Sequence, residues 1–210
     1  MPSIEAGICN TALLRVGQQQ GITSLGDNSP QGKACNKLWD IARDATLEAF
    51  AWPFAMRRRA LKAITDGERG AWAYAYALPT DCIAARHLDV ADEDNPLGAY
   101  NTNPGESEQL VFRLEGDSTY GVVLLTNVEN AVLVYTAKVT EPARWSPMFR
   151  DAMAFRIAAD LGFGLAKSER KGFAMLQAFE RSIRLAAASA FNQERKEEAP
   201  ESELITSRGG

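Results

Sequence analysis

One histidine, three cysteines and a run of acids are the residues of this 210-residue chain that could do chemistry. His87 has no second histidine at HxH or HExxH spacing and no cysteine pair beside it, so the sequence offers no metal-ligand set. A lone histidine on an alternating apolar run is ordinarily structural. Cys9, Cys35 and Cys82 are far apart, form no CxxC pair and are odd in number. That argues against a disulfide framework and for small buried hydrophobes. Asp92, Glu93 and Asp94 make a carboxylate cluster, but adjacent acids in a loop are normally solvated, and nothing places a substrate between two of them. The sequence contains no GxSxG elbow, phosphate-binding loop or GxGxxG fingerprint. These absences predict no catalytic residue, no cofactor and no metal, and point to a binding or assembly protein.

Charge narrows the class further. The formal net charge is −4, which does not favour nucleic acid. Residues 89–130 carry nine acids against one base, Arg113, so the middle of the chain is a solvated acidic face or one that repels DNA. Hydrophobic residues make up 46% of the chain, enough for a sizeable core, and no apolar run approaches the ~20 residues of a membrane span. The opening MPSIEAGICN has no basic stretch before an apolar one and predicts no secretory signal.

The element that must organise the rest is residues 29–61. Ser29 can cap a helix and Pro30 suits its first turn. Cys35, Leu38, Ile41, Ala42, Ala45 and Ala49 recur at helical spacing as an apolar face, with Lys33, Lys37, Asp40, Arg43, Asp44 and Glu48 on the solvated side. Pro53 stops the helix near Phe50. Trp52 and Phe54 then form an aromatic knuckle, expected to plug the core at a helix–strand junction. Arg57, Arg58 and Arg59 read as an extended, solvated strand edge.

Before this stretch, Ser3, Ile4, Ile8, Ala12, Leu13 and Val16 predict a capped first helix ending at Gly17. After it, alternation at Trp72, Tyr74, Tyr76 and Leu78 predicts a strand, and residues 82–90 another. Apolar runs at residues 110–114, 122–125 and 131–135 predict three more, with turns at Glu115-Gly116-Asp117 and at residues 127–130. They suit an antiparallel sheet or small sandwich, and residues 95–108 read as loop. From Pro147 the period becomes helical: Phe149, Met153, Ile157, Leu161 and Leu165, then Phe173, Leu176, Phe179, Ile183, Ala187 and Ala190. The two stripes predict an antiparallel hairpin turning near residues 168–171. Leu176, Phe179, Ile183 and Ala187 are the residues expected to pack the core or a neighbouring subunit. The low bulk of Ala186-Ala187-Ala188 would let another helix approach closely.

The predicted fold class is therefore α+β. Residues 1–52 supply one helix pair of an α-helical bundle, residues 53–146 an inserted antiparallel β-sheet unit, and residues 147–192 the closing hairpin. Residues 193–210 form an extended tail too polar to order itself. In it Leu204 and Ile205 make a small apolar island, expected to dock in a partner's groove with Glu197, Glu198 and Arg208 flanking it.

The order of motifs resembles one family. Asn10-Thr11-Ala12-Leu13-Leu14-Arg15-Val16-Gly17, Ile22-Thr23-Ser24-Leu25, Ala34-Cys35 and Asp40-Ile41-Ala42-Arg43-Asp44 are followed by Leu47, Trp52-Pro53-Phe54-Ala55, Arg58 and Leu61. Tyr76-Ala77-Leu78-Pro79 and Asp81-Cys82 come next, then a terminal helical pair. The sequence resembles the tail tubular protein A (gene-product-4-like) head-to-tail adaptors of short-tailed bacteriophages. The resemblance implies a structural virion protein forming a closed homo-oligomeric ring, typically of about twelve copies. Such a ring sits below the portal protein, continues the DNA channel without sequence-specific binding, and receives the distal tail (nozzle) protein. It further implies that the helices form the ring body, the sheet unit faces the tail and the C-terminal segment reaches the portal. The rival expectations are a neck or head-completion connector of a long-tailed phage and, from another class, a tail-associated hydrolase.

Overall fold

The computed structural model describes residues 3–67, 69–91, 96 and 110–193. Asp92, Glu93 and Asp94 lie outside the described residues, as do the tail residues Glu197, Glu198, Leu204, Ile205 and Arg208. The fold is α+β.

Four helices among the described residues build the body, and local sequence sets their ends. α1 (Ile4–Arg15) starts at Ser3, whose hydroxyl accepts the Ala6 N–H at 3.3 Å. It closes at Gly17, whose φ of +81° a side chain would resist. α2 (Pro30–Ala49) is capped by Ser29, which accepts the Gly32 N–H at 3.1 Å. The loop between them is anchored by Asn10, whose side-chain amide pairs with the N–H and C=O of Ile22 at 2.7 and 3.0 Å. α3 (Pro147–Gly164) is capped by Ser146, and α4 (Glu169–Gln193) follows a short turn.

α3 is the central helix, packing against α1, α2 and α4. Its stripe of Phe149, Met153, Ile157 and Leu161 is buried, joined by Ala152, Ala154, Ala158 and Ala159. Around Phe149 the aromatic rings close. Trp52 and Phe54 stand edge-on to it with centroids at 5.1 and 5.2 Å, and Trp145 at 5.0 Å. Buried indoles need an acceptor. Trp52 Nε1 donates to the Thr46 carbonyl at 2.7 Å and Trp145 Nε1 to the Val139 carbonyl at 2.9 Å.

The strands fall between α2 and α3: β1 (Met56–Ala60), β2 (Lys62–Ile64), β3 (Tyr74–Ala77), β4 (Cys82–Val90), β5 (Phe112–Asp117), β6 (Gly121–Thr126) and β7 (Ala131–Ala137). They make two antiparallel sheets, in the orders β1-β7-β4 and β2-β3-β6-β5. The chain changes sheet four times, between β1 and β2 at Leu61, between β3 and β4, between β4 and β5, and between β6 and β7. The Leu61 N–H bonds the Ala131 carbonyl at 2.9 Å, tying the β1–β2 corner to the β6–β7 corner. Tyr76, Leu88, Leu124, Leu133 and Tyr135 fill the space between the sheets, giving a small sandwich with shared corners. Ile64, Ala75, Val123 and Leu125 cluster with Trp72 on the other face of the second sheet.

Several expectations are corrected. In α2 the buried residues are Cys35, Trp39, Ala42, Arg43, Thr46 and Leu47, with Gly32. Ile41 is 61% exposed and Ala49 is exposed as well. The helix carries two apolar stripes, and the one holding the bulky Trp39 and Leu47 has more area to bury. Arg43, read as solvated, is 5% exposed and neutralised by Asp40 at 2.6 Å and Asp44 at 2.7 Å. Ile4 is 40% exposed rather than on the inner face. Glu115 to Asp117 belong to β5, not to a turn. The reversal follows them, because the Asp117 carboxylate accepts the N–H groups of Thr119 and Tyr120 at 2.7 and 2.9 Å and Gly121 takes φ +76°.

Candidate functional site

Among the described residues, the main polar clusters join elements of the fold. On the sheet, Arg58 of β1 forms an ion pair with Asp89 of β4 across β7, and His87 Nε2 stands 4.0 Å from the same carboxylate. The His87 side chain is 52% exposed, and no nucleophile meets it among the described residues. Arg57 pairs with Asp81 at 2.6 Å, and Asp81 also accepts the Tyr135 hydroxyl at 3.0 Å. Burial and then that bond push the Tyr135 hydroxyl up from its ordinary value, which keeps it a protonated donor.

Arg86 fastens the sandwich to the body. Its Nε donates to Thr136 Oγ1 at 2.8 Å, and a terminal nitrogen donates to the carbonyls of Glu48 at 2.9 Å and Leu47 at 3.4 Å. Those carbonyls lie at the end of α2, where the helix leaves acceptors unfilled and the dipole favours a cation. Lys138 adds a bond to Asp44 at 2.9 Å. Lys171 of α4 does the same for α1, donating to the Val16 carbonyl at 2.7 Å. Arg15 lies 3.5 Å over the Phe155 ring and pairs with Asp151, tying α1 to α3.

Cys9 and Cys35, distant in sequence, meet between α1 and α2 as free, fully buried thiols. The hydrogen bond shared with Cys35, and then burial, push the Cys9 thiol well up, so it stays protonated and inert. Among the described residues no group of three or more His, Cys, Asp or Glu could hold a metal ion. A shallow groove between α1 and α3, lined by Ile4, Gly7, Ile8 and Ala154 with Arg150 and Asp151, is open to solvent. Arg150 is engaged elsewhere, donating to the Pro142 carbonyl at 3.0 Å.

What remains is apolar surface. Of the expected packing residues on α4, Phe179 and Ile183 are half-buried against the helical core. Leu176 is half-buried beside that stripe rather than on it, and Ala187 is exposed. Gly172, Met175 and Ala186 take the inner face instead. Ala187 is displaced because the stripe runs 172, 175, 179, 183, 186, a mixed three–four spacing set by the close approach of α4 to α3 at Gly162 and Gly172. Trp52 is 2% exposed in the core, with Phe54 half-buried beside it. Left exposed are Leu14 of α1, Ile41 of α2, and Phe173 and Leu185 of α4 at 67, 61, 56 and 56%. Phe173 stacks edge-on against Phe163 at 5.2 Å, so the tip of the hairpin is aromatic. No helix among the described residues is long and apolar enough to cross a membrane.

Comparison of the sequence with protein-family models and with curated proteins finds no match.

Proposed function

We propose that the chain is a structural virion protein, one subunit of a head-to-tail adaptor ring of a short-tailed bacteriophage. On this reading about twelve copies close into a ring that joins the portal protein to the nozzle protein. Genomic DNA passes through its channel without sequence-specific binding, and no catalysis or cofactor is involved. The observation that carries the reading is the surplus of apolar helix surface. The helical core is already closed around Phe149, yet α2 and α4 each keep an exposed apolar residue on an outer face. Residues placed so suit a protomer completed by its neighbours. The ordered series of motifs from Asn10 to Cys82 supports the same reading. So does the conversion of the polar clusters into joints between elements.

In this proposal the tail beyond α4 orders on the portal, with Leu204 and Ile205 entering a groove and Glu197, Glu198 and Arg208 at its rim. Size-exclusion chromatography with mass measurement, followed by low-resolution imaging of the purified particle alone and with portal rings, tests the reading. A ring with a central bore is expected. A chain that stays a protomer and ignores portal rings refutes it. Truncation after Asn192 should leave helix content unchanged and remove most of the affinity for portal rings.

A further inference from the structure

We propose that neighbouring subunits meet through the outer face of α4, laid antiparallel against the outer stripe of α2 in the next copy. The inference rests on the ring reading above and names the two surfaces that would build it.

On α2, Lys37, Ile41, Ala45 and Glu48 follow one another at helical spacing on the side away from the buried Trp39 and Thr46, while Ala34 and Leu38 beside them are half-buried against the core. Ile41, at its centre, is 61% exposed, and Glu48 closes the stripe at its C-terminal end. On α4, Ala178, Ser182, Leu185, Ala188 and Ser189 share a face with Arg181. Leu185 is its one large side chain and is 56% exposed. The small residues around it allow a second helix to approach closely, and Ile41 supplies the matching bulk.

Charge selects the direction. Arg181 precedes Leu185 by four residues on the same face, and Glu48 follows Ile41 by seven on the same face. With Ile41 set against Leu185, an antiparallel arrangement brings Arg181 to Glu48. A parallel one brings it to Lys37 instead. The α4 face around Leu185 holds Arg181 and no acid, since Glu180 lies on the other flank of the helix, so an acidic surface complements it.

Position selects the partner. α2 and α4 both pack on α3 and make little contact with each other, so the two faces lie on separate flanks of the protomer. Two different surfaces that complement one another give a head-to-tail contact, which repeats until a ring closes.

The test uses full-length chain and chromatography with mass measurement. Glu48→Arg and Arg181→Glu should each abolish assembly with helix content unchanged, since both side chains are exposed, and the two reversals in one chain should restore it. Ile41→Asp and Leu185→Asp should each yield protomers. An equimolar mixture of these two should form dimers and nothing larger, because each retains one good face. Single reversals that assemble like the wild type overturn the contact, as does a double reversal that fails to restore assembly. Leu185→Asp assembling where Ile41→Asp does not would instead indicate an α2–α2 contact and also overturns it. A wild type that stays a protomer, alone and with portal rings, overturns the ring reading as well.

Discussion

α3 and α4 are joined by one short turn and use their apolar residues in opposite ways. α3 buries nine of its 18 residues, reaching three other helices. α4 has 25 residues, and of its described side chains only Gly172 and Ala186 are fully buried. Both helices carry an apolar stripe of similar spacing. One stripe is enclosed because neighbours stand on every side of it, and the other leans on α3 along a single line. The difference teaches that periodicity in a sequence reports an apolar face, while the number of neighbours decides whether that face is core or is left for a partner.

The sharpest way to break the comparison is Phe149→Ala. Three aromatic rings contact Phe149 edge-on, and the residue has no exposed surface. The lost transfer energy and the cavity left behind should cost about 3–5 kcal/mol in urea denaturation. A cost near 1 kcal/mol would mean that α3 is not the keystone of the body.

Next is the line along which the two helices touch. A methyl group added at Gly162 would come within 2.6 Å of the Gly172 nitrogen and 2.8 Å of its Cα. Backbone cannot swing aside as a side chain can, so Gly162→Ala should pry α4 from α3 at a cost of about 1–3 kcal/mol. Gly164→Ala has open space around its new methyl. It should be neutral or stabilising by up to about 1 kcal/mol, since alanine is the better helix former. Equal melting temperatures for the two variants would show that the close approach is not tight.

Ile183→Asp sits at the boundary between buried and exposed. Ile183 is half-buried against the core, so a charge there should cost about 1–3 kcal/mol in denaturant titration, and Leu176→Asp should cost less because Leu176 lies beside the stripe. The reverse order would place the contact line one residue away from where it runs.

These contrasts also say what the sequence makes legible. The α3 stripe, the Ser3 and Ser29 caps and the β4 span follow from local rules, because caps, prolines and strict spacing act within a few residues. The fold class follows from the switch between period-two and helical runs. The inner faces of α2 and α4 do not. Each helix offers two apolar arcs, and only the tertiary neighbours, Trp39 beside Trp145 or Gly172 against Gly162, choose between them. Pairing across distance is hidden for the same reason: Arg86 at the end of α2, Arg58 with Asp89 and Cys9 with Cys35 have no signature in spacing. The tail residues, Leu204 and Ile205 among them, lie outside the described structure and rest on composition alone.

A smaller effect tests whether the seam between α2 and the sandwich is held by charge. Burial raises the Asp44 carboxyl, but the hydrogen bonds and charges of Arg43 and Lys138 outweigh it and hold the group below its ordinary value near ~3.9. A depressed folded value means that the ionised form is the one folding favours. Its contribution is therefore complete above the ordinary value and is lost as pH falls through the lower folded one. The side chain is about a third exposed, at 32%, so screening limits the contribution to less than about 1 kcal/mol. The melting-temperature gap between wild type and Asp44→Asn should shrink as pH is lowered from about 6 to about 2. A gap that stays constant with pH would identify the contact as packing rather than charge.

The smallest effect on the protomer, and the one that isolates α4, is Leu185→Asp. Leu185 lies six residues from Phe179, about 120° around the helix, and so points away from α3. With 56% of its surface already in water, replacing it uncovers little further apolar area. The new carboxylate meets solvent, and Arg181 four residues earlier gives it a partner on the same face, worth a few tenths of a kcal/mol. Aspartate is a poorer helix former than leucine by about 0.5 kcal/mol, which cancels that gain. The expected change in protomer stability is therefore within about 0.5 kcal/mol, measured by circular dichroism melting at a concentration where only protomers exist. The same substitution in α3, Ile157→Asp, should abolish folding, because the carboxylate would be enclosed with no cation to meet it. A loss above about 2 kcal/mol at Leu185 would mean that its flank is already covered within one chain. The contrast between a helix enclosed by its own fold and one with a face left over would then fail at the point where it is drawn most sharply.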